Sequence, residues 1–259
     1  MTKVMGILNV TPDSFFDGGW WSTPESAQWQ AKRLQDEGAD LLDVGGQSTR
    51  PGFDEISAEE ESSRVVPVLR ALAPHVRVPI SIDTYKPAVA RAALEAGASW
   101  LNDIHGFQGD PDMARVAAER DCETVVMHHD RGFIAAPGDT MDKMKRFFER
   151  TLVIAAAAGV KLERLVLDPG IGFHKTPSHS LEVLRRIPEL RIFGRPLLIG
   201  VSRKSVIGHV LGETAPGRLE GTLACTALAV QQGVEYVRVH DVQSNVRVVR
   251  MTEAILKSA

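Results

Sequence analysis

The sequence has the length, composition and charge of an ordinary globular protein. It contains 259 residues, of which 44% are apolar and 24% are charged, and 30 basic against 33 acidic side chains give a net charge of -3. A chain of this size can fold without disulfides or a structural metal. Its nearly balanced charge argues against extended contacts with nucleic acid or an anionic membrane. We therefore expect a small-molecule partner, with no nucleic acid and no membrane.

The sequence also predicts a cytoplasmic protein. The longest uncharged stretch, 221–234, is shorter than the ~20 apolar residues of a membrane helix. The N-terminus lacks the apolar region and cleavage site of a signal peptide. Cys122 and Cys225 lie far apart without CxxC spacing, so we expect both to be unpaired core residues.

Four repeated segments organise the chain, and in each a helix-like run ends at a glycine and leads into a β-type run with an acidic residue near its end. They are GADLLDV from Gly38, GASWLNDI from Gly97, GVKLERLVLD from Gly159 and GVEYVRVHD from Gly233. Each glycine suits the left-handed position just past a helix end. The glycines are 59, 62 and 74 residues apart, about twice the ~30 residues of one strand–helix unit. A further strand is therefore expected in each gap.

Four more strand-like runs bring the count to eight; they are 4–9, 78–83, 123–128 and 195–201. Short apolar runs that alternate with helices indicate parallel strands buried on both faces. Eight such units predict an α/β fold with a parallel eight-stranded core, a single (β/α)8 TIM barrel that occupies residues 1–259 as one domain. A doubly wound open sheet is the alternative, and it would need a glycine-rich turn after the first strand, where 9–13 read NVTPD.

Polar side chains stand at the predicted carboxyl ends of the strands, where (β/α)8 enzymes place their chemistry. They include Asn9, Asp43, Asp83, Asn102, Asp103, His105, His128, His129, Asp168, Ser202, Arg203, Lys204, Arg238, His240 and Asp241. A single acid at such an end often only caps the next helix, which leaves Asp83 and Asp103 individually ambiguous. Eight strands that all end in polar groups, however, predict a polar ligand.

The mixture of groups indicates the chemistry of that ligand. Carboxylates at Asp83 and Asp168, with the amide of Asn102, suit a heterocycle that donates ring N–H and amino hydrogens. Fixed cations suit a phosphate-bearing group; these are Arg50, Lys204 and Arg238, with His240 beside them. A zinc site is not favoured, because alternation along a strand points the adjacent histidines at 128 and 129 to opposite sides.

Seven short motifs resemble those of the dihydropteroate synthase family of pterin-binding barrels. In chain order they are MGILNVTPDSFFDGG at 5–19, STRPG at 48–52, SIDTYKP at 81–87, LNDI at 101–104, LDPGIGF at 167–173, SRKS at 202–205 and VRVHDV at 237–242. Their order and their placement at successive strand ends argue against coincidence. Methyltransferases that use methyltetrahydrofolate share parts of the pattern, so the subfamily depends on STRPG and SRKS.

The resemblance implies a transferase of folate biosynthesis. Such an enzyme condenses 6-hydroxymethyl-7,8-dihydropterin diphosphate with 4-aminobenzoate to give 7,8-dihydropteroate and diphosphate, with Mg2+ on the leaving group. The resemblance also implies a homodimer and a target of sulfonamides. Two alternatives stay open, namely a non-catalytic pterin-binding paralogue and a methyltetrahydrofolate-binding methyltransferase domain.

The resemblance assigns roles to particular residues of this sequence. The implied catalytic residues are Asp83, Asp168 and Lys204, and the implied pterin-binding residues are Asp83, Asn102, Asp168, Lys204 and Arg238. The implied diphosphate-binding residues are Asn9, Arg50, Arg238 and His240, with Asn9 also meeting the metal. The implied aminobenzoate-binding residues are Thr49, Arg50, Pro51, Phe173 and Ser205.

The sequence departs from the family pattern in three places. Gln47 stands where Glu is common, His174 stands where a small residue is common, and His129 and Asp130 follow the strand-5 histidine. Gln47 removes a negative charge near Arg50 and bears on the position of that loop. His174 bears on the shape of the aminobenzoate pocket and therefore on the response to sulfonamides.

Overall fold

Eight parallel strands form one sheet in the computed structural model, which describes residues 1–10, 23–47 and 55–258. The strands are β1 (Lys3–Asn9), β2 (Leu41–Gly45), β3 (Ile80–Asp83), β4 (Trp100–Asp103), β5 (Glu123–Met127), β6 (Leu165–Asp168), β7 (Leu198–Ile199) and β8 (Tyr236–Val239). Strands adjacent in the chain pair from β1 to β6, and β8 pairs with both β1 and β7. A parallel bridge between Leu167 and Leu197 links β6 to the segment before β7. The sheet is thus a nearly closed barrel, and the predicted TIM barrel is confirmed.

Helices follow the strands and cover the outside of the barrel. They are α1 (Pro24–Asp36), α2 (Ala58–Leu72), α3 (Pro87–Glu95), α4 (Pro111–Arg120), α5 (Thr140–Ala157), α6 (Pro177–Arg186), α7 (Ser205–Leu211), α8 (Leu219–Gln231) and α9 (Val242–Lys257). Side chains of Thr23, Ser57 and Asp139 accept hydrogen bonds from the first turns of α1, α2 and α5, which satisfies otherwise unpaired N–H groups there. Across the described ranges, no helix has the length and apolar character needed to cross a membrane.

The four repeat glycines occupy the predicted left-handed positions. Their φ angles are +101° at Gly38, +116° at Gly97, +85° at Gly159 and +74° at Gly233. This conformation is strained for residues with a Cβ atom but not for glycine. Each glycine therefore lets the chain leave a helix and turn directly into the next strand.

Two predicted strands are longer in the sequence pattern than in the structure. Only Leu198–Ile199 of the run 195–201 is strand, because Pro196 within this run has no N–H to donate to a neighbouring strand. In the run after Gly159, residues Leu162–Arg164 form a short 3-10 helix and the strand begins at Leu165. Of these two strands, β6 ends at the predicted Asp168, whereas β7 ends at Ile199, three residues before Ser202.

Candidate active site

Alternate residues of the strands point into the barrel, and their chemistry changes along its axis. Towards the amino ends of the strands, the inner cluster is apolar and consists of Met5, Leu41, Trp100, Val125, Val166 and Leu198. Because side chains alternate along a strand, residues two positions further on also face inward; they include Asp43, Asn102, Asp168 and Gly200, with Arg238 two positions beyond Tyr236. The barrel therefore has an apolar floor and a polar mouth.

A buried network at this mouth joins Arg238 to neighbouring strands. Its Nε donates to Asp43 Oδ2 at 2.5 Å, and its Nη2 donates to Asp83 Oδ2 at 2.6 Å. Asn102 Nδ2 donates to the same oxygen of Asp43 at 3.0 Å. The guanidinium is therefore held between two carboxylates, and its orientation is fixed by β2 and β3.

The two carboxylates of this network keep acceptor atoms for a ligand. Asp43 Oδ1 and Asp83 Oδ1 are buried, and within the described part of the chain neither accepts a hydrogen bond. Burial, opposed by Arg238 and reinforced by the charge of Asp43, raises the pKa of Asp83 to about 7. A buried acceptor without a donor is costly. A ligand that donates hydrogen bonds here would remove that cost and favour the ionised carboxylate.

Asp168 and Lys204 form the opposite part of the mouth. Asp168 Oδ1 accepts the N–H of Gly170 at 2.8 Å, which fixes the carboxylate at the start of the following turn. Burial raises the pKa of Asp168, while the charge of Lys204 opposes this rise. Burial lowers the pKa of Lys204 to about 8, and here Asp168 opposes the fall. Asp168 therefore offers an acceptor and Lys204 a donor, and the pKa of each depends on the charge of the other.

Gly200 leaves a space that Asp168, Lys204 and Arg238 border. A Cβ atom placed on Gly200 would lie 3.7 Å from Asp168 Oδ2, 3.8 Å from Lys204 Nζ and 3.9 Å from Arg238 Cβ. Because Gly200 has no side chain, the space between Asp168, Lys204 and Arg238 stays open. That arrangement suits a flat heterocycle with both donors and acceptors on its edge.

Phe173 lies beside this space. The ring of Phe173 is half-buried, and Lys204 Nζ lies 4.6 Å from its centroid. Lys204 also donates to the backbone oxygen of Ile171 at 2.7 Å, so the turn after β6 and the start of α7 are tied together. Ser205 is the first residue of α7 and is exposed.

The remaining described candidates lie at other strand ends. Asn9 ends β1, and its Oδ1 lies 3.7 Å from the position of a Cβ placed on Gly45. His240 follows β8, and its Nδ1 lies 3.0 Å from Ser202 Oγ, which also accepts the backbone N–H of His240. Thr49, Arg50 and Pro51 lie outside the described residues.

Two residues of the site, Asp43 and Gly200, have no role in the sequence-based prediction. Asp43 was noted as a strand-end acid but was given no role, although it accepts hydrogen bonds from both Arg238 and Asn102. Gly200 has no functional group, and its importance comes only from the space that it leaves. Both stand two positions after a residue of the apolar inner cluster, so period-two counting along β2 and β7 could have found them.

Known proteins share this fold and these motifs. The model of the family described as pterin binding enzyme matches residues 5–240. A dihydropteroate synthase of Clostridium beijerinckii is 44% identical over 257 residues, which cover 99% of this chain and 95% of that protein. The chain belongs to the dihydropteroate synthase family. The predicted family and the predicted enzyme class, a transferase, are therefore confirmed.

Solved dihydropteroate synthases also match the structure over nearly its whole length. The enzyme of Clostridium difficile, crystallised in the presence of pteroic acid, has a TM-score of 0.94 and 47% identity, with 99% of this chain and 97% of that chain covered. The enzyme of Xanthomonas albilineans with 4-aminobenzoic acid has a TM-score of 0.93 and 40% identity, with 100% and 94% covered. The fold expected for a dihydropteroate synthase is thus the fold observed.

Proposed function

We propose that this chain condenses 6-hydroxymethyl-7,8-dihydropterin diphosphate with 4-aminobenzoate, releasing 7,8-dihydropteroate and diphosphate. The observation that supports this most directly is the polar mouth itself. Asp43 and Asp83 present buried acceptor oxygens, and Asp168 and Lys204 border the space at Gly200 together with Arg238, which both carboxylates hold. A pterin edge carries the amino group, ring N–H and carbonyl that such a set can bind.

The pterin is held by side chains on several strands. Asp83, Asp168 and Asn102 bind its donor edge, and Lys204 donates to its carbonyl and ring nitrogen. Arg238, whose orientation is fixed by Asp43 and Asp83, lies against the ring face. Because these groups are positioned before the substrate arrives, binding requires little rearrangement of the barrel mouth.

Charge stabilisation then follows from the same groups. As the C–O bond to diphosphate breaks, positive charge spreads into the pterin, and the carboxylates of Asp83 and Asp168 stabilise it in a site of low dielectric constant. The amine nitrogen of 4-aminobenzoate forms the new bond to the exocyclic carbon and releases a proton. His240, Asn9 and Arg238 hold the departing diphosphate, whereas the lid and aminobenzoate roles of Thr49, Arg50 and Pro51 stay predictions.

The residues present fit a magnesium ion bound mainly by the substrate. Asn9 Oδ1 and Asp83 Oδ2 lie 3.7 Å and 3.8 Å from the position of a Cβ on Gly45, so two hard oxygen donors border the same space. Mg2+ is commonly held by one or two protein oxygens, water and substrate phosphates, and within the described ranges no cluster of three or more His, Cys, Asp or Glu side chains forms a dedicated metal cage. Asn9 would contact the ion, which when bound offsets negative charge on the leaving diphosphate.

A cytoplasmic homodimer completes the proposal. Exposed apolar side chains on the last three helices include Val210, Leu211, Leu228, Met251 and Ile255, and a second copy of the chain would bury such side chains. Light scattering coupled to size-exclusion chromatography should give a mass of twice the chain. A mass equal to one chain would contradict the dimer without affecting the catalytic proposal.

One assay tests the reaction. Diphosphate release should require both the pterin diphosphate and 4-aminobenzoate, and it should be lost with a chelator and restored by added Mg2+. A folded protein that binds the pterin and releases no diphosphate would favour the non-catalytic paralogue. Transfer of a methyl group from methyltetrahydrofolate, without diphosphate release, would favour the methyltransferase.

A further inference from the structure

Two of the positions that depart from the family pattern contact each other. His129 Nε2 and His174 Nε2 lie 3.1 Å apart, and their ring planes are nearly perpendicular, at 83°. His129 follows β5, whereas His174 belongs to the turn between β6 and α6. The two departures are therefore one structural feature, a hydrogen bond between two imidazoles that joins neighbouring loops.

This bond requires one proton between two nitrogens. One ring donates its Nε2–H and the other accepts with its lone pair, so the bond exists only while at least one imidazole is neutral. Burial, together with the charges of His105, His174 and Arg131, lowers the pKa of His129 to about 4. Burial also lowers the pKa of His174, with Arg131 and Lys175 acting in the same direction and Asp130 opposing them. The pair is therefore intact near neutral pH.

A second contact joins the same two loops. His128 Nδ1 lies 2.9 Å from Lys175 Nζ, which also donates to the backbone oxygens of Gly170 at 3.0 Å and Phe173 at 3.2 Å. The ring of His128 packs on Phe133 and Phe147, whereas that of His129 packs on His105 and His174, so the two adjacent rings have different neighbours. His128 thus contacts Lys175 and His129 contacts His174. Two adjacent contacts therefore hold the turn that carries Phe173.

The backbone conformation of His174 shows what the hydrogen bond to His129 achieves. Its φ is +45°, a left-handed conformation that costs energy for a residue with a Cβ atom. The bond to His129 offsets this cost and keeps the turn in its observed shape. The preceding residue, Phe173, lies with its ring centroid 6.1 Å from that of His129 and 4.6 Å from Lys204 Nζ.

We propose that the His129–His174 hydrogen bond positions Phe173 and thereby sets the affinity for the aromatic amine substrate. This inference rests on the proposed function and deepens it, because it concerns the second-substrate side of the same site. Both histidines are positioning residues that act through Phe173. Three of the pterin-binding side chains, Asp83, Asn102 and Arg238, do not contact the histidine pair and are held by their own network.

Steady-state kinetics of His129→Met, His174→Gly and the double variant test the inference, with the exposed His75→Gln as control. Loss of one net hydrogen bond should raise the KM for 4-aminobenzoate about fivefold, while kcat and the KM for the pterin diphosphate change by less than about twofold. Since both single variants break the same bond, the double variant should add little to either. Glycine relieves the strain at position 174, so His174→Gly is expected to fold.

Nitrogen-15 NMR of the histidine rings provides a readout without turnover. In the wild-type protein, one Nε2 of the pair should be protonated and the other not, and His174→Gly should change the signals of His129 while leaving those of His75 in place. If the wild-type enzyme is active and the variants have the same KM for 4-aminobenzoate as the wild type, the inference is overturned but the proposed function is not. A wild-type protein with no synthase activity would overturn the proposed function and the inference with it.

Discussion

Replacement of Asp43 by Asn tests the network around Arg238 without changing the size of the side chain. Asp43 and Asp83 each place an oxygen within 2.6 Å of a nitrogen of the same guanidinium. The two like charges are therefore close, and the charge of Asp43 contributes to the raised pKa of Asp83. Removing that charge should lower the pKa of Asp83.

The size of this effect follows from the geometry. Two unit charges about 5 Å apart interact by about 3 kcal/mol at an effective dielectric constant of about 20. An energy of about 3 kcal/mol corresponds to a change of about 2 in a pKa. The pKa of Asp83, about 7 in the wild-type protein, should thus fall to about 5 in the variant.

The pH profile of kcat/KM for the pterin diphosphate measures this change. In the proposed complex Asp83 accepts hydrogen bonds from the pterin as a carboxylate, so kcat/KM should fall as the pH drops through the pKa of Asp83 in the free enzyme. The acid limb should therefore lie near pH 7 in the wild-type enzyme and near pH 5 in Asp43→Asn. At pH 8 the variant should also lose about tenfold in kcat/KM, because Arg238 has lost one of its charged partners.

A surface variant of the same chemistry serves as the control. Asp36→Asn removes the acid of an exposed salt bridge to Lys32 in α1, and such pairs contribute little to stability. Its pH profile should match that of the wild-type enzyme, and titration of the substrate itself is common to all three proteins. An acid limb at the same pH in Asp43→Asn and in the wild type would refute the proposed coupling of the two carboxylates.

Three further variants probe the opposite side of the mouth. Asp168→Asn should lower kcat/KM by an amount equivalent to about 2 to 4 kcal/mol in the transition state, and near-normal steady-state kinetics would reject its role. Burial lowers the pKa of Lys204 to about 8, so kcat/KM should fall above that pH as the amine loses its proton. Lys204→Arg, which stays charged, should remove this alkaline limb of the pH profile. An alkaline limb that remains in Lys204→Arg would assign it to another group. Gly200→Ala should fold, because its new methyl group meets neighbours at 3.7 Å or more. The methyl group occupies the space beside Asp168 and Lys204, so the KM for the pterin diphosphate should rise at least tenfold. An unaltered KM would place the pterin elsewhere.

The barrel could be predicted because its signals are local and repeated. Gly38, Gly97, Gly159 and Gly233 mark helix ends by their own conformational freedom, and each precedes a short apolar strand. The strand ends were less sharply predicted, since pairing partners decide where a strand begins. The run 195–201 shortens to two residues because Pro196 cannot donate to a neighbour.

The roles of individual strand-end acids could not be predicted from the sequence in the same way. Asp103 accepts the N–H groups of His105 and Phe107, so it caps the following turn, as a lone acid often does. Asp83 instead pairs with Arg238, which is 155 positions away in the chain. A local pattern cannot separate these two cases, because the deciding partner comes from a strand on another part of the barrel.

Burial, reinforced by the charge of Asp43, holds the pKa of Asp83 above its usual value in the free protein. The carboxylates of Asp43 and Asp83 share one guanidinium, that of Arg238, so two negative charges contact a single cation there when both are ionised. This excess is unfavourable in the free protein and adds to the effect of burial, the largest cause of the raised pKa of Asp83. A pterin that becomes positive as diphosphate leaves would supply the missing cation. The same excess charge therefore destabilises the empty site and stabilises the transition state, which is the differential binding that catalysis requires.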